Sequence, residues 1–150
     1  MSTDQISYCD TLGCRMAYVV KEIIRILKKR FQEQEIELTI EQFFILNILD
    51  NEDGLILQEV AEIVDRDKSA VLRHVDGLER KHFVTRMTDS SDKRRKLLLV
   101  TKRGMEVLKK ARAVDAEIDR AIAGRIQDIE VKEFEAEISN IYDFLINKDN

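Results

Sequence analysis

The sequence predicts a mainly α-helical protein with one small β-hairpin, and three observations predict it. Apolar residues recur three or four apart over most of the chain, the spacing of helices that bury one face. That period breaks once, at "FVTRMT" and "KLLLVT", two short runs rich in Val, Thr and Leu on either side of the polar tip "DSSDKRR". Proline is absent, so helices can run long without a forced kink.

Taken in order, residues 8–34 place Leu12, Met16, Val20, Ile23, Leu27 and Phe31 at helical spacing, with Lys21, Glu22, Arg25, Lys28 and Lys29 between them. In "LTIEQFFILNILD", Thr39 and Gln42 have capping-box spacing, which starts a short helix at Ile40 and ends it near Asn51, ahead of Gly54. "LQEVAEIV" is a helix of about two turns. "RDKSAVLRHVDGLERKH" is the next, with Asp67 as N-cap and Val71, Val75 and Leu78 as its buried stripe. The hairpin follows. Thr101 then caps a helix from Lys102 to about Gly124, and a last helix runs from Glu130 to Asn147 with Phe134, Ile138, Ile141 and Leu145 along one face. The centre is a helix-turn-helix followed directly by a two-stranded ribbon. The expected architecture is thus a winged helix-turn-helix over about residues 40–101, a connecting helix over about 102–124, and flanking helices over about 8–34 and 130–147. All belong to a single domain spanning 1–150.

Composition narrows the function. With 44% apolar and 36% charged residues the chain reads as a soluble globular protein. It opens without a basic segment followed by an apolar one, and it has no run of about 18 apolar residues to span a bilayer, so the expected location is cytoplasmic. There Cys9 and Cys14 are expected to be thiols. A phosphate-cradling Gly-rich loop, a nucleophile elbow and a His-Glu metal motif are all missing, so neither catalysis nor a bound cofactor is expected. His74 and His82 lack ligand-type spacing with the cysteines, which argues against a metal.

The net charge of −4 conceals an asymmetry. Leu55 to Gly104 holds twelve Lys and Arg against eight Asp and Glu, while the rest of the chain holds 13 against 21. A basic middle between acidic ends fits a localised polyanion-binding surface, although sign asymmetry is equally a mark of an ordinary solvated face.

In a helix-turn-helix the second helix enters the major groove and offers the N-terminal part of its outward face to base edges. With Val71, Val75 and Leu78 inward, Ser69, Arg73, Asp76 and Arg80 point outward, flanked by Lys68 and Leu72. Arg73 is the candidate base reader, because a guanidinium bonds two acceptors of a guanine edge at once, worth about 1–3 kcal/mol of discrimination. Ser69, Lys68 and the free N–H groups of the helix start suit phosphate, and Leu72 is placed to meet a thymine methyl. The bland alternative is a solvated helix surface, and Asp76 would repel phosphate deep in a groove. The hairpin tip is longer than a plain connection requires. Its Lys93, Arg94, Arg95 and Lys96 would reach a neighbouring minor groove or backbone. Asp92, beside them, needs an arginine to hold, and Arg86 and Arg94 are the candidates.

The segments "LTIEQFFILNIL" and "LQEVAEIVDRDKSAVLRHVDGLERKHFVTRMTDSSDKRRKLLLVTKRG" resemble the MarR family of bacterial transcriptional regulators, closely over about Leu38 to Leu108 and in pattern beyond. The most specific stretches are "DKSAVLRHVDGLE" and "DKRRK" with the following "LLVTKRG". The resemblance implies a homodimer held by the first and last helices, binding double-stranded DNA at a short palindromic operator. Such proteins usually act as repressors released by a small molecule or by oxidation. It implies DNA contacts from Ser69 and Arg73 and from Arg94, with Asp92 and Arg86 bracing the wing. Three positions depart from the pattern: His82 replaces a common glycine and is expected to be strained, Ile56 stands where a capping Ser or Thr often begins a helix, and Leu72 occupies a site that is often polar.

A dimer also follows from the apolar stripes of the two terminal helices, which a monomer would leave exposed. Pairing between chains buries them and sets two recognition helices about 34 Å apart; packing on each other within one chain is the alternative. Two switches remain open. Cys14 and Tyr18 form Cys-x-x-x-Tyr, similar to the peroxide-sensing branch of the family, but the second tyrosine of that pattern is replaced by the neighbourhood of Lys28, Lys29 and Phe31. The other switch is a small aromatic effector lined by Tyr18, Phe43 and Phe44, residues that equally suit a core. A rival of another class is a winged helix that serves only protein–protein interaction. Cations kept on both the recognition helix and the wing weigh against it, and the salt dependence of DNA affinity separates the two.

Overall fold

The computed structural model describes residues 10–126 and 130–148. Among them, helices α1 (Leu12–Glu33), α2 (Ile40–Asn51), α3 (Leu57–Ile63) and α4 (Lys68–Arg80) lead into strands β1 (Val84–Thr88) and β2 (Lys96–Val100). Helices α5 (Lys102–Ala123) and α6 (Val131–Lys148) follow. This is the mainly helical, hairpin-bearing class that the sequence predicts. The chain forms two compact units, Met1–Val114 and Asp115–Asn150.

In the first unit α2 is the central helix. Thr39 accepts from the Gln42 N–H while the Gln42 side chain accepts from the Thr39 N–H, closing the capping box. Ile40, Phe43, Ile45, Leu46 and Leu49 are buried around its girth, as a helix surrounded by others requires. Val60 of α3, Val71, Val75 and Leu78 of α4, Leu98 of β2 and Leu108 of α5 complete the core. Each such side chain, taken from water, contributes about 1.5–3 kcal/mol. The stripe of α1 is buried only at its end, at Leu27 and Phe31, and Phe31 meets Phe43 edge-on with centroids 5.6 Å apart. Leu12 and Val20 are exposed.

Ile56 does not leave α3 loose. Its backbone is extended and forms a single antiparallel bridge with Leu97 beside the hairpin, and the Leu98 N–H donates to the Leu55 carbonyl at 2.8 Å. The Glu59 carboxylate accepts from the Ile56 N–H at 2.9 Å, so the helix start is tied from within the helix instead of by a capping hydroxyl.

The hairpin is antiparallel, in register from Val84↔Val100 to Thr88↔Lys96. His82, in the turn that leads into it from α4, has φ 58°, the left-handed conformation expected where a glycine is common. Thr101 locks the other side. Its hydroxyl donates to the His82 carbonyl at 2.6 Å and accepts from the Gly104 N–H at 3.0 Å, and its own N–H donates to the Phe83 carbonyl at 3.0 Å. Gly104 is required here, since a Cβ would lie 2.1 Å from the Phe83 oxygen. In the second unit, α6 leaves Phe134, Ile138, Tyr142 and Leu145 exposed.

Candidate nucleic-acid interface

The outward face of α4 is built by its N-cap. The Asp67 carboxylate accepts from the N–H groups of Ser69 and Ala70 at 3.0 and 3.3 Å and also from the Ser69 hydroxyl. That hydroxyl, above all, holds the Asp67 carboxyl below the usual aspartate range, with the two N–H groups adding to it. The N–H groups of Ser69 and Ala70, expected to be free for phosphate, are therefore taken by the Asp67 carboxylate, as is the Ser69 hydroxyl. Lys68 and Arg73 are exposed, with no hydrogen bond or ion pair among the described residues, and Leu72 is half-buried beside them.

Asp76 does not face phosphate unneutralised. Arg86 of β1 donates to it at 2.8 Å and lies 3.1 Å from Glu79, so Arg86 fastens the wing to the recognition helix. This replaces the expected pairing with Asp92. The Asp92 side chain accepts from the Arg94 N–H at 2.9 Å, while its carbonyl accepts from the Arg95 N–H, so it shapes the tip through the backbone. Asp89 opens the same tip as an Asx turn, accepting from the N–H and hydroxyl of Ser91 at 2.8 and 2.7 Å. Those bonds, the hydroxyl's first, hold its carboxyl below the usual range.

The four wing cations separate into two kinds. Lys93 and Arg94 are exposed, and their side chains carry no hydrogen bond or ion pair among the described residues. Arg95 is half-buried against the base of the wing, with Nη2 donating to Glu59 at 3.2 Å and Nε, shielded from solvent, 3.9 Å from Asp89. Lys96 donates to the Thr88 hydroxyl across the hairpin at 2.5 Å. Glu59 and Arg95 are 36 residues apart, and no local spacing announces such a pair. The same holds for Arg112, which ties α5 to α2 through Asn47 at 2.7 Å and Asp50 at 2.6 Å.

Of the expected effector residues, Phe43 and Phe44 adjoin, their ring centroids 5.8 Å apart, while Tyr18 stands away from them. Phe43 is core. Phe44 is half exposed and lines a cleft of about 360 Å³ with Ile45, Ile48, Val64, Val71 and His74, whose rim carries Glu41 and Arg66. Tyr18 lies elsewhere on α1, under the Lys21 ammonium. Cys14 is disulfide-bonded, which corrects the expectation of a free thiol; Cys9 lies outside the described residues.

A capped helix presenting Arg73 and Lys68, followed by a braced ribbon presenting Lys93 and Arg94, has the form of a winged helix-turn-helix, a motif that places its second helix in a DNA major groove. Residues 38–96 match the MarR family. The transcriptional regulator SarZ of Staphylococcus haemolyticus is 25% identical over 141 residues, covering 92% of this chain and 95% of its own. The DNA complex of MepR from S. aureus shares the fold with a TM-score of 0.77 and 20% identity over 90% of this chain and 96% of its own. CouR from Rhodococcus jostii RHA1, bound to p-coumaroyl-CoA, does so with a TM-score of 0.71 and 23% identity over 91% and 90%. The match to the MarR family thus falls on the winged-helix segment, and the chain as a whole is similar to known transcriptional regulators.

Proposed function

We propose that the protein is a homodimeric repressor of a short palindromic operator, in which Arg73 reads a base and Lys68, Lys93 and Arg94 hold phosphates. The observation that carries this is the pattern of pairing. Arg86 and Arg95 are committed to carboxylates, while Arg73 on the outward face of α4 and Lys93 and Arg94 at the tip are not. Cations kept unpaired on two elements of one module suit a polyanion that both elements touch. The exposed apolar residues of α1 and α6 support the dimer, and a dimer explains why an operator would be palindromic.

Release from DNA follows from an aromatic ligand or from thiol oxidation. CouR carries an aromatic acyl-CoA, and the cleft lined by Phe44 has the apolar walls and charged rim that an aromatic acid needs. The disulfide at Cys14 favours the second route, which predicts different operator affinity for the reduced and oxidised protein.

Selection of bound sequences from a random duplex pool at about 150 mM salt tests the proposal. The expected product is a palindrome with half-site centres about 10 base pairs apart. A folded dimer that enriches nothing, in both redox states, would instead be a protein-interaction module.

A further inference from the structure

Resting on the reading of the wing as a DNA contact, we infer that Arg95 is a positioning residue and not a phosphate ligand, and that Glu59 is the residue through which it acts. Sequence alone places Arg95 in a run of four cations at the wing tip, where all four look equivalent. The structure separates them. Arg95 Nη2 donates to Glu59 Oε1 at 3.2 Å, its Nε is shielded from solvent and faces Asp89 Oδ2 at 3.9 Å, and its backbone N–H donates to the Asp92 carbonyl at 2.9 Å. The other oxygen of Glu59 accepts from the Ile56 N–H at 2.9 Å.

One carboxylate therefore holds both the start of α3 and the base of the wing. Ile56 is at the same time paired with Leu97 of β2, so backbone and side chain tie the same two elements. On the other flank of the ribbon, Arg86 reaches Asp76 and Glu79 of α4. The ribbon is fastened on one side to the helix that precedes the recognition helix and on the other to the recognition helix itself. A tip so held presents Lys93 and Arg94 at a fixed reach from Arg73, and DNA then meets cations whose ordering is already complete. A guanidinium shared by two carboxylates adds little net positive charge for phosphate, so its contribution is geometric.

The test is operator affinity measured over a range of salt for the wild-type dimer and for Arg95→Ala, Arg94→Ala and Glu59→Gln. Each phosphate contact contributes about −0.9 to the slope of log affinity against log salt. Arg94→Ala should make the slope shallower by about that amount. Arg95→Ala should lower affinity about tenfold at every salt concentration with the wild-type slope. Glu59→Gln keeps an oxygen to accept from Ile56 but loses the charge, and it should also weaken binding. Combined with Arg95→Ala it should add little, since both break one pair. A shallower slope or full affinity in Arg95→Ala overturns the inference, and so does tighter binding by Glu59→Gln, the result expected if Glu59 merely held a phosphate ligand back. If Arg95→Ala does not fold, Arg95→Lys replaces it: weakened binding at wild-type slope supports the inference, and full affinity overturns it. A wild-type slope in Arg94→Ala removes the wing reading itself, an outcome distinct from any of these.

Discussion

Two adjoining residues decide how the recognition helix hands over to the wing. Gly104 is pressed so closely on the Phe83 carbonyl that a methyl group has no room, and the obstacle is backbone, which cannot swing aside. Gly104→Ala should lower stability by about 3 kcal/mol in urea denaturation, in the upper range for overpacking; a change within about 0.5 kcal/mol would mean that α5 shifts freely. His82 presents the opposite case. It is exposed and holds φ 58°, a conformation costing an L-residue about 1 kcal/mol that glycine does not incur. His82→Gly should therefore gain about that amount, while His82→Val, β-branched, should lose at least as much. This strain is legible in the sequence as a histidine where the family pattern has glycine. The need for Gly104 is not, because it arises from a contact with Phe83 across the Thr101 turn.

At the scale of elements, the recognition helix depends on one carboxylate. Asp67 is held below its ordinary value chiefly by the Ser69 hydroxyl, so its cap is fully present above that ordinary value and is lost as pH falls through the lower folded one. Denaturation followed from pH 6 down to pH 2 should show this loss in the wild type and a flatter profile in Asp67→Asn, which still accepts from the helix start. Identical profiles would remove Asp67 from the acid response. Asp115 on α5 has the reverse sign. Burial first, then the Asp119 carboxylate one turn on, raises its value, so the helix is penalised once pH rises above that value. Asp115→Asn should raise stability at neutral pH and make no difference in acid.

Elements whose caps and stripes are local can be read from the chain itself. Asp67 with Val71, Val75 and Leu78 marks out α4, and Thr39 with Gln42 marks the start of α2. What local spacing does not reveal is pairing between elements. Arg86 takes Asp76 and Glu79 over Asp92, and Arg95 takes Glu59, because the register of the ribbon and the extension at Ile56 bring those groups together. A cluster of like charges in sequence thus becomes two exposed cations without a side-chain partner, one half-buried brace and one cross-strand bond.

For the whole molecule, the question is what the terminal helices are for. Helix α6 leaves Phe134, Ile138, Tyr142 and Leu145 in water, Leu145 with 57% of its surface accessible, and α1 does the same with Leu12 and Val20. Apolar area of that extent, spaced along helices, is unfavourable on a monomer and is removed if copies associate. Association would also make the second half-site contact intramolecular, raising affinity by about 10² to 10⁴ over a single reading head. Phe134→Lys combined with Leu145→Lys introduces like charges on this face and leaves every groove-facing residue intact. The variant should sediment as a monomer, keep its helical circular dichroism, and bind a full palindrome at least about 100-fold more weakly than the wild type. Its affinity for an isolated half-site should be unchanged. A variant that remains dimeric would place the association surface elsewhere. A monomer that still binds the palindrome with full affinity would mean that one winged helix suffices and would overturn the dimeric reading of DNA recognition.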